Sequence, residues 1–171
     1  PFEGATIGHE LYREVKLMQT LVQLQEKNYT AALNFINEAK LWPENLGAGK
    51  PYDEDIDIRT ENWLAYLCYK NLNNTKAANE MLLAVVNFMP IRSNTISNFY
   101  AGNHLISLWA YAALNQSSQG TEWIKKQQAK FPDNKIMQWA SSSYQQKKVQ
   151  PISIQSEDAT VRIIKQLSLS K

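Results

Sequence analysis

The chain has 171 residues, 44% of them apolar and 20% charged, with 18 Lys and Arg against 16 Asp and Glu for a net charge of +2. That length suits one domain or one short repeat array, and the composition excludes wholesale disorder. The basic residues are scattered among acids rather than gathered into a run that could follow phosphates, and no apolar stretch approaches the ~20 residues that cross a bilayer, so neither nucleic acid nor a membrane span is expected.

Apolar residues recur at three and four along most of the chain, and Pro and Gly fall mainly between the periodic segments, which predicts helices and no substantial sheet. The first helix spans about Ile7 to Glu26, with Leu11, Val15, Met18 and Val22 on its inward face and Leu17, Leu21 and Leu24 widening it. Lys27–Asn28 is a short turn. Tyr29 to Leu41 follows, with Ala32, Ile36 and Ala39 at the small-large-small spacing that lets two helices approach closely.

After a glycine-rich, acidic loop, a third helix spans about Ile58 to Leu72, with Leu64, Cys68 and Leu72 facing in. Asn73–Asn74 turns into a fourth, Thr75 to Phe88, where Ala77, Met81 and Ala84 repeat the earlier pattern. A third pair is less regular. Asn94 or Ser97 caps a helix through His104, Leu105, Leu108, Trp109 and Ala112, and Gly120 opens another that ends at Pro132. Asp133 caps a helix through Met137, Ala140 and Tyr144. Lys147 to Ser156 is loose, and Glu157 to Leu167 is a last helix too poor in apolar residues to stand alone. The chain thus divides into a helical domain over 1–146 and a connection with a terminal helix over 147–171.

Helix pairs with a short internal turn, small residues at fixed offsets in the second helix and a proline at its end resemble tetratricopeptide repeats. The resemblance implies an all-α, right-handed α-α superhelix of about three antiparallel pairs, closed at one end by the C-terminal helix. The first helices lack the family's full Trp, Leu, Gly and Tyr series, so the repeats are degenerate. The stretch Trp42-Pro-Glu-Asn-Leu-Gly-Ala-Gly-Lys-Pro-Tyr52, followed by Asp55, Asp57, Arg59 and Trp63, is similar to the helical-repeat region of large multidomain bacterial proteins of mostly unassigned function. Pro1 to Ala5 and His104 to Trp109 look similar too, and the opening on Pro1 fits a processed chain or an excised piece. The resemblance carries no catalytic residues.

Several local patterns invite chemistry and fall short of it. Gly47-Ala-Gly-Lys50 lacks the preceding strand of a phosphate-binding loop and has Pro51 where Ser or Thr belongs. Asp53, Asp55 and Asp57 have the alternate spacing of a calcium loop, but Ile58 and Leu64 stand where glycine and glutamate are required, so the acids read as complements to a helix N-terminus. Glu54, Asp57 and Glu61 could form an acid pair for glycoside hydrolysis, with nothing to mark one as buried and protonated. His9 and His104 have no nucleophile setting, and the lone Cys68 reads as a buried small hydrophobe. No enzyme activity, metal or cofactor is expected.

One stripe remains. With Leu64 and Cys68 facing inward, Arg59, Asn62, Tyr66, Tyr69 and Lys70 fall along the neighbouring face, and Asn103 extends them in the third pair. By resemblance the first helix of each pair lines a concave groove, so these residues would look into it. Their donors and tyrosine rings suit a carboxylate, an acidic peptide or a sugar. The competing reading is a solvated face with Tyr66 or Tyr69 packed on the next pair. On the groove reading, alanine at Arg59 and Lys70 weakens an acidic partner and leaves the fold intact. The sequence therefore points to a non-catalytic module that holds a protein or peptide, another domain of its parent included. A carbohydrate-associated helical domain is the alternative.

Overall fold

Four helices of this protein end in the same turn. In a computed structural model that describes residues 3–46, 50–53, 56–89, 101–152 and 159–169, a left-handed residue follows each of α1 (Glu3–Gln25), α3 (Arg59–Asn71), α5 (Asn103–Ala113) and α7 (Lys135–Gln145). These residues are Lys27, Asn73, Asn115 and Lys147, with φ between 52 and 60°. In each case the next amide donates back to a carbonyl five residues earlier, Asn28 to Gln23, Asn74 to Tyr69, Gln116 to Tyr111 and Lys148 to Ser143. This turn satisfies the carbonyls that a helix end would otherwise leave unpaired and reverses the chain within three residues.

The first three turns lead directly into α2 (Tyr29–Ala39), α4 (Thr75–Val86) and α6 (Ser117–Lys130). Each of these packs against the helix before it, while α2 also meets α3 and α4 meets α5. The pairing is antiparallel. His9 near the start of α1 reaches Leu41 beyond the end of α2, and Arg59 at the start of α3 lies 4.9 Å from the Phe88 ring beyond the end of α4. The fourth turn instead leads to an irregular segment at 149–152, and α8 (Ala159–Leu169) packs back on α1. All regular structure among the described residues is helical, as the periodicity predicts.

Two clusters form most of the core. Leu17, Leu21, Ala32, Ile36, Leu64 and Cys68 meet between the first two pairs, where Ile163 of α8 joins them. Tyr66, Leu82, Leu105, Ile106 and Trp139 form the second with Val161 and Ile164 of α8. Ala32, Ile36 and Ala39 are buried as expected. In α4 the buried positions are Ala78, Leu82 and Val85, each one residue beyond the expected Ala77, Met81 and Ala84. A single residue turns the face by about 100°.

Only part of the expected inward face of α1 faces in, the part formed by Leu17, Met18, Leu21 and Leu24. Leu11, Val15 and Val22 are 62%, 46% and 49% exposed, whereas Leu17 and Leu21 are buried beside His9, Arg13 and Thr20. The physical reason is that α1 carries two apolar stripes, and the neighbours settle on the one whose polar residues find partners across the interface. Leu72 is likewise exposed. Gly120 lies inside α6 rather than opening it, and Asn134 rather than Asp133 caps α7 by accepting from the Met137 amide at 2.9 Å. The expected caps Asn94 and Ser97 lie outside the described residues.

Candidate functional site

The residues of the predicted stripe come to lie where α1, α3, α5 and α8 meet, and most of them are buried. Arg59, Asn62 and Asn103 are each under 7% exposed, and Tyr66 is 9% exposed within the core. Tyr69 is half-buried against both apolar clusters, and Lys70 alone of the six stands exposed, its Nζ 5.8 Å from the Tyr66 ring. The stripe is thus not one open surface.

Arg59 opens α3 and turns back on Asp57 two residues earlier. Its Nε and Nη2 donate to the carboxylate at 3.0 and 2.7 Å, its backbone amide donates at 3.1 Å, and Nη1 reaches Ser107 Oγ on α5 at 2.9 Å. Burial pushes the Asp57 carboxyl up, but the Arg59 charge and hydrogen bonds outweigh it and hold the group below the usual carboxylate range. Asp57 does complement the start of a helix, as expected, by acting on its N-terminal amide. Arg59 is correspondingly a structural cation, so its replacement by alanine would not leave the fold intact.

The next residue, Thr60, donates to Asn103 Oδ1 at 2.6 Å and shares a hydrogen bond of 3.2 Å with Thr160 of α8. The Asn103 amide contributes to lowering the Asp57 carboxyl without making a hydrogen bond of good geometry, and its Nδ2 is buried. Next to Thr60, Glu61 accepts both Nε and Nη2 of Arg13 on α1, at 2.5 and 2.9 Å. Lys40 donates to Asn62 Oδ1 at 3.2 Å, and burial lowers its pKa against the pull of Glu61. The polar positions in the first turn of α3, Arg59 to Asn62, therefore reach toward neighbouring segments rather than solvent. Sequence reasoning missed Arg13, Thr60, Ser107 and Thr160, since nothing local marks a polar residue on an amphipathic helix as buried.

The other chemical candidates resolve in the same way. Asp57 and Glu61 are each tied to an arginine, which removes both from the role of a free acid or base. Glu54, Asp55 and Gly47–Gly49 lie outside the described residues, while Lys50 and Asp53 pair with each other on the surface. Among the described residues no group of three or more His, Cys, Asp or Glu is placed to hold a metal. His9 stacks on Trp42 with centroids 3.3 Å apart, and His104 packs 5.0 Å from Trp123. Burial pushes the Cys68 thiol up to about 12, which keeps it protonated and inert.

One open feature lies beside this polar layer. Trp63 and Leu67 of α3, Trp109 and Ala112 of α5, the turn at Lys147–Lys148 and the last turn of α8 enclose a cleft of about 430 Å³. The two indoles stand 5.6 Å apart, inclined by 37°. A cavity of this size, apolar with polar groups at its edge, is of the kind that takes a small ligand or a protruding side chain.

Comparison of the chain with protein-family models, with curated proteins and with solved structures finds no match in any of the three.

Proposed function

We propose that this chain is a non-catalytic scaffolding module, a right-handed superhelix of tetratricopeptide-like pairs, that holds a polypeptide belonging to another protein or to another part of its parent. The recurrent left-handed turn after α1, α3, α5 and α7 supports the repeat reading, because an identical end to alternate helices is what a duplicated unit leaves behind. The observation that carries the function is the seat of α8. Its Thr160, Val161, Ile163 and Ile164 are buried, at 1% exposure each, against the first helices of successive pairs. Arg162 on its outer edge pairs with Glu14 of α1, Nε to Oε1 at 2.5 Å and Nη2 to Oε2 at 2.7 Å. A surface that receives an amphipathic helix through apolar sockets, a threonine contact and a bidentate arginine has the chemistry of helix-in-groove recognition.

A carbohydrate-associated role is the second reading. The observation that favours it is the Trp63–Trp109 pair at an open cleft, since indole faces also stack on sugar rings. Calorimetric titration of the whole chain against a panel of peptides and a panel of oligosaccharides separates the two. Heat with peptides and none with sugars is the expected result. Heat with sugars alone would reverse the ranking and remove the polypeptide reading.

A further inference from the structure

The cleft between α3, α5 and the turn after α7 differs from the rest of the first-helix face in being open and in having charge of one sign at its edge. Its floor is Trp63, Leu67, Trp109 and Ala112, and Lys147 and Lys148 stand at the rim. Among the described residues no acidic side chain lines it. Both lysines are exposed, and neither forms an ion pair among the described residues.

The rim is also held in place. Lys147 occupies the left-handed position with φ 52°, the Lys147 amide donates to Tyr144 O at 3.1 Å, and the Lys148 amide donates to Ser143 O at 3.1 Å. The next residues are pinned too, since the Gln150 amide donates to Ser143 Oγ at 3.0 Å and the Trp139 indole donates to Gln150 O at 2.7 Å. Two cations are thus presented from a fixed turn over an apolar floor, which lowers the ordering cost of binding.

We propose that this cleft binds an acidic polypeptide segment through one aromatic side chain, which packs against the exposed side of the Trp63–Trp109 pair while flanking carboxylates meet Lys147 and Lys148. The proposal rests on the polypeptide-binding reading above and names its partner chemistry. Indole pairs inclined as these are accept a further ring in an edge-to-face or offset arrangement, and a volume of about 430 Å³ admits one such ring with part of its backbone. With lysines and no acids among the described lining residues, the complementarity is one-sided, so a lysine-flanked ring of the same shape is rejected.

The test uses the whole chain and short capped peptides carrying one Phe, Tyr or Trp flanked by Glu, with Lys-flanked peptides as controls, followed by calorimetry. Two variants accompany it. Ala112→Phe fills the cleft from a partly exposed helix position, and the double variant Lys147→Gln, Lys148→Gln keeps its shape while removing the charge. The acidic peptides are expected to bind and the basic ones not. Binding should vanish in Ala112→Phe and weaken by about tenfold in the double glutamine variant, as the loss of two exposed ion pairs implies. Equal affinity in Ala112→Phe and the parent chain would overturn the cleft while leaving the polypeptide reading in place. Binding to neither peptide set would also overturn it, and the wider peptide panel would then show whether the polypeptide reading survives.

Discussion

Glu61 of α3 and Arg13 of α1 join through two parallel hydrogen bonds, with the carboxylate side chain wholly buried and the guanidinium 7% exposed. Burial alone would lower the arginine pKa, but the Glu61 charge and hydrogen bonds more than reverse this and raise it. The pair closes the polar layer on the side of α1. Removing one partner leaves a buried charge without a counterion. Arg13→Ala is expected to lower unfolding stability in urea by about 3–5 kcal/mol. The double variant Arg13→Met, Glu61→Met should recover most of that loss, because packed apolar side chains replace a desolvated pair at little net cost. A double variant no more stable than Arg13→Ala would show that the pair contributes shape rather than charge balance.

His9 gives the fold an acid-sensitive element. Burial lowers its pKa below 6.5, opposed in part by the hydrogen bond at 3.2 Å between Nε2 and the Leu41 carbonyl oxygen. The folded protein therefore prefers the neutral ring, and the unfolded chain takes the proton first as pH falls. Stability from this source is full above 6.5 and is lost as pH drops through the folded-state value. Urea midpoints taken from neutral pH downward should fall through this window in the parent chain and flatten in His9→Gln. A parallel decline in both would assign the effect to another group.

Two helical glycines should respond to alanine with opposite signs. A Cβ on Gly120 would meet Tyr111 Cβ at 2.9 Å, closer than real side chains approach, so α6 would have to move away from α5. Overpacking outweighs the gain in helix propensity, and Gly120→Ala should lose roughly 1–2 kcal/mol. At Gly8 the nearest atom is Leu46 O at 3.6 Å, an ordinary contact. Gly8→Ala should stabilise by about 0.5–1 kcal/mol, read from thermal midpoints of the two variants side by side.

The left-handed turns make a further prediction. Lys27 holds φ at 58°, a conformation that disfavours any side chain and that glycine adopts freely. Lys27→Gly should gain about 1 kcal/mol in urea unfolding, and Lys27→Val should lose at least as much. Asn73 and Asn115 have the same geometry but gain less from glycine, since asparagine tolerates this region better than lysine does.

Much of the helical framework is legible in the sequence because helix ends are written locally. Pro, Asn and Gly mark where periodicity breaks, and α2, α3 and α4 begin within one residue of the expected positions. Inward faces were legible where only one stripe was available. Ala32, Ile36 and Ala39 are such a case, and Leu64 and Cys68, both fully buried, are another. On α1, where Leu11, Val15 and Val22 compete with Leu17 and Leu21, the pattern alone did not separate the buried stripe from the exposed one.

The polar stripe shows the same limit from the other direction. Arg59, Asn62 and Asn103 read as solvent-facing donors because an isolated helix offers them nothing else. Their burial depends on Asp57, Lys40 and Thr60, and that dependence runs through contacts between separate elements. The Trp63–Trp109 cleft is less visible still, since its two lysines come from a turn far along the chain from its indoles.

What the sequence determined by itself is the local layer, the identity of the helices, their turns and the small residues that let them pair. These follow from backbone sterics and spacing within a few residues, which any segment carries with it. Tertiary structure alone decided which stripe of α1 faces in, that Arg59, Thr60, Glu61 and Asn62 of α3 find their partners outside that helix, and that α8 lies across the first helices. Each of these is a competition between alternative burials, and its outcome is set by whether a distant side chain can satisfy a charge or fill a gap.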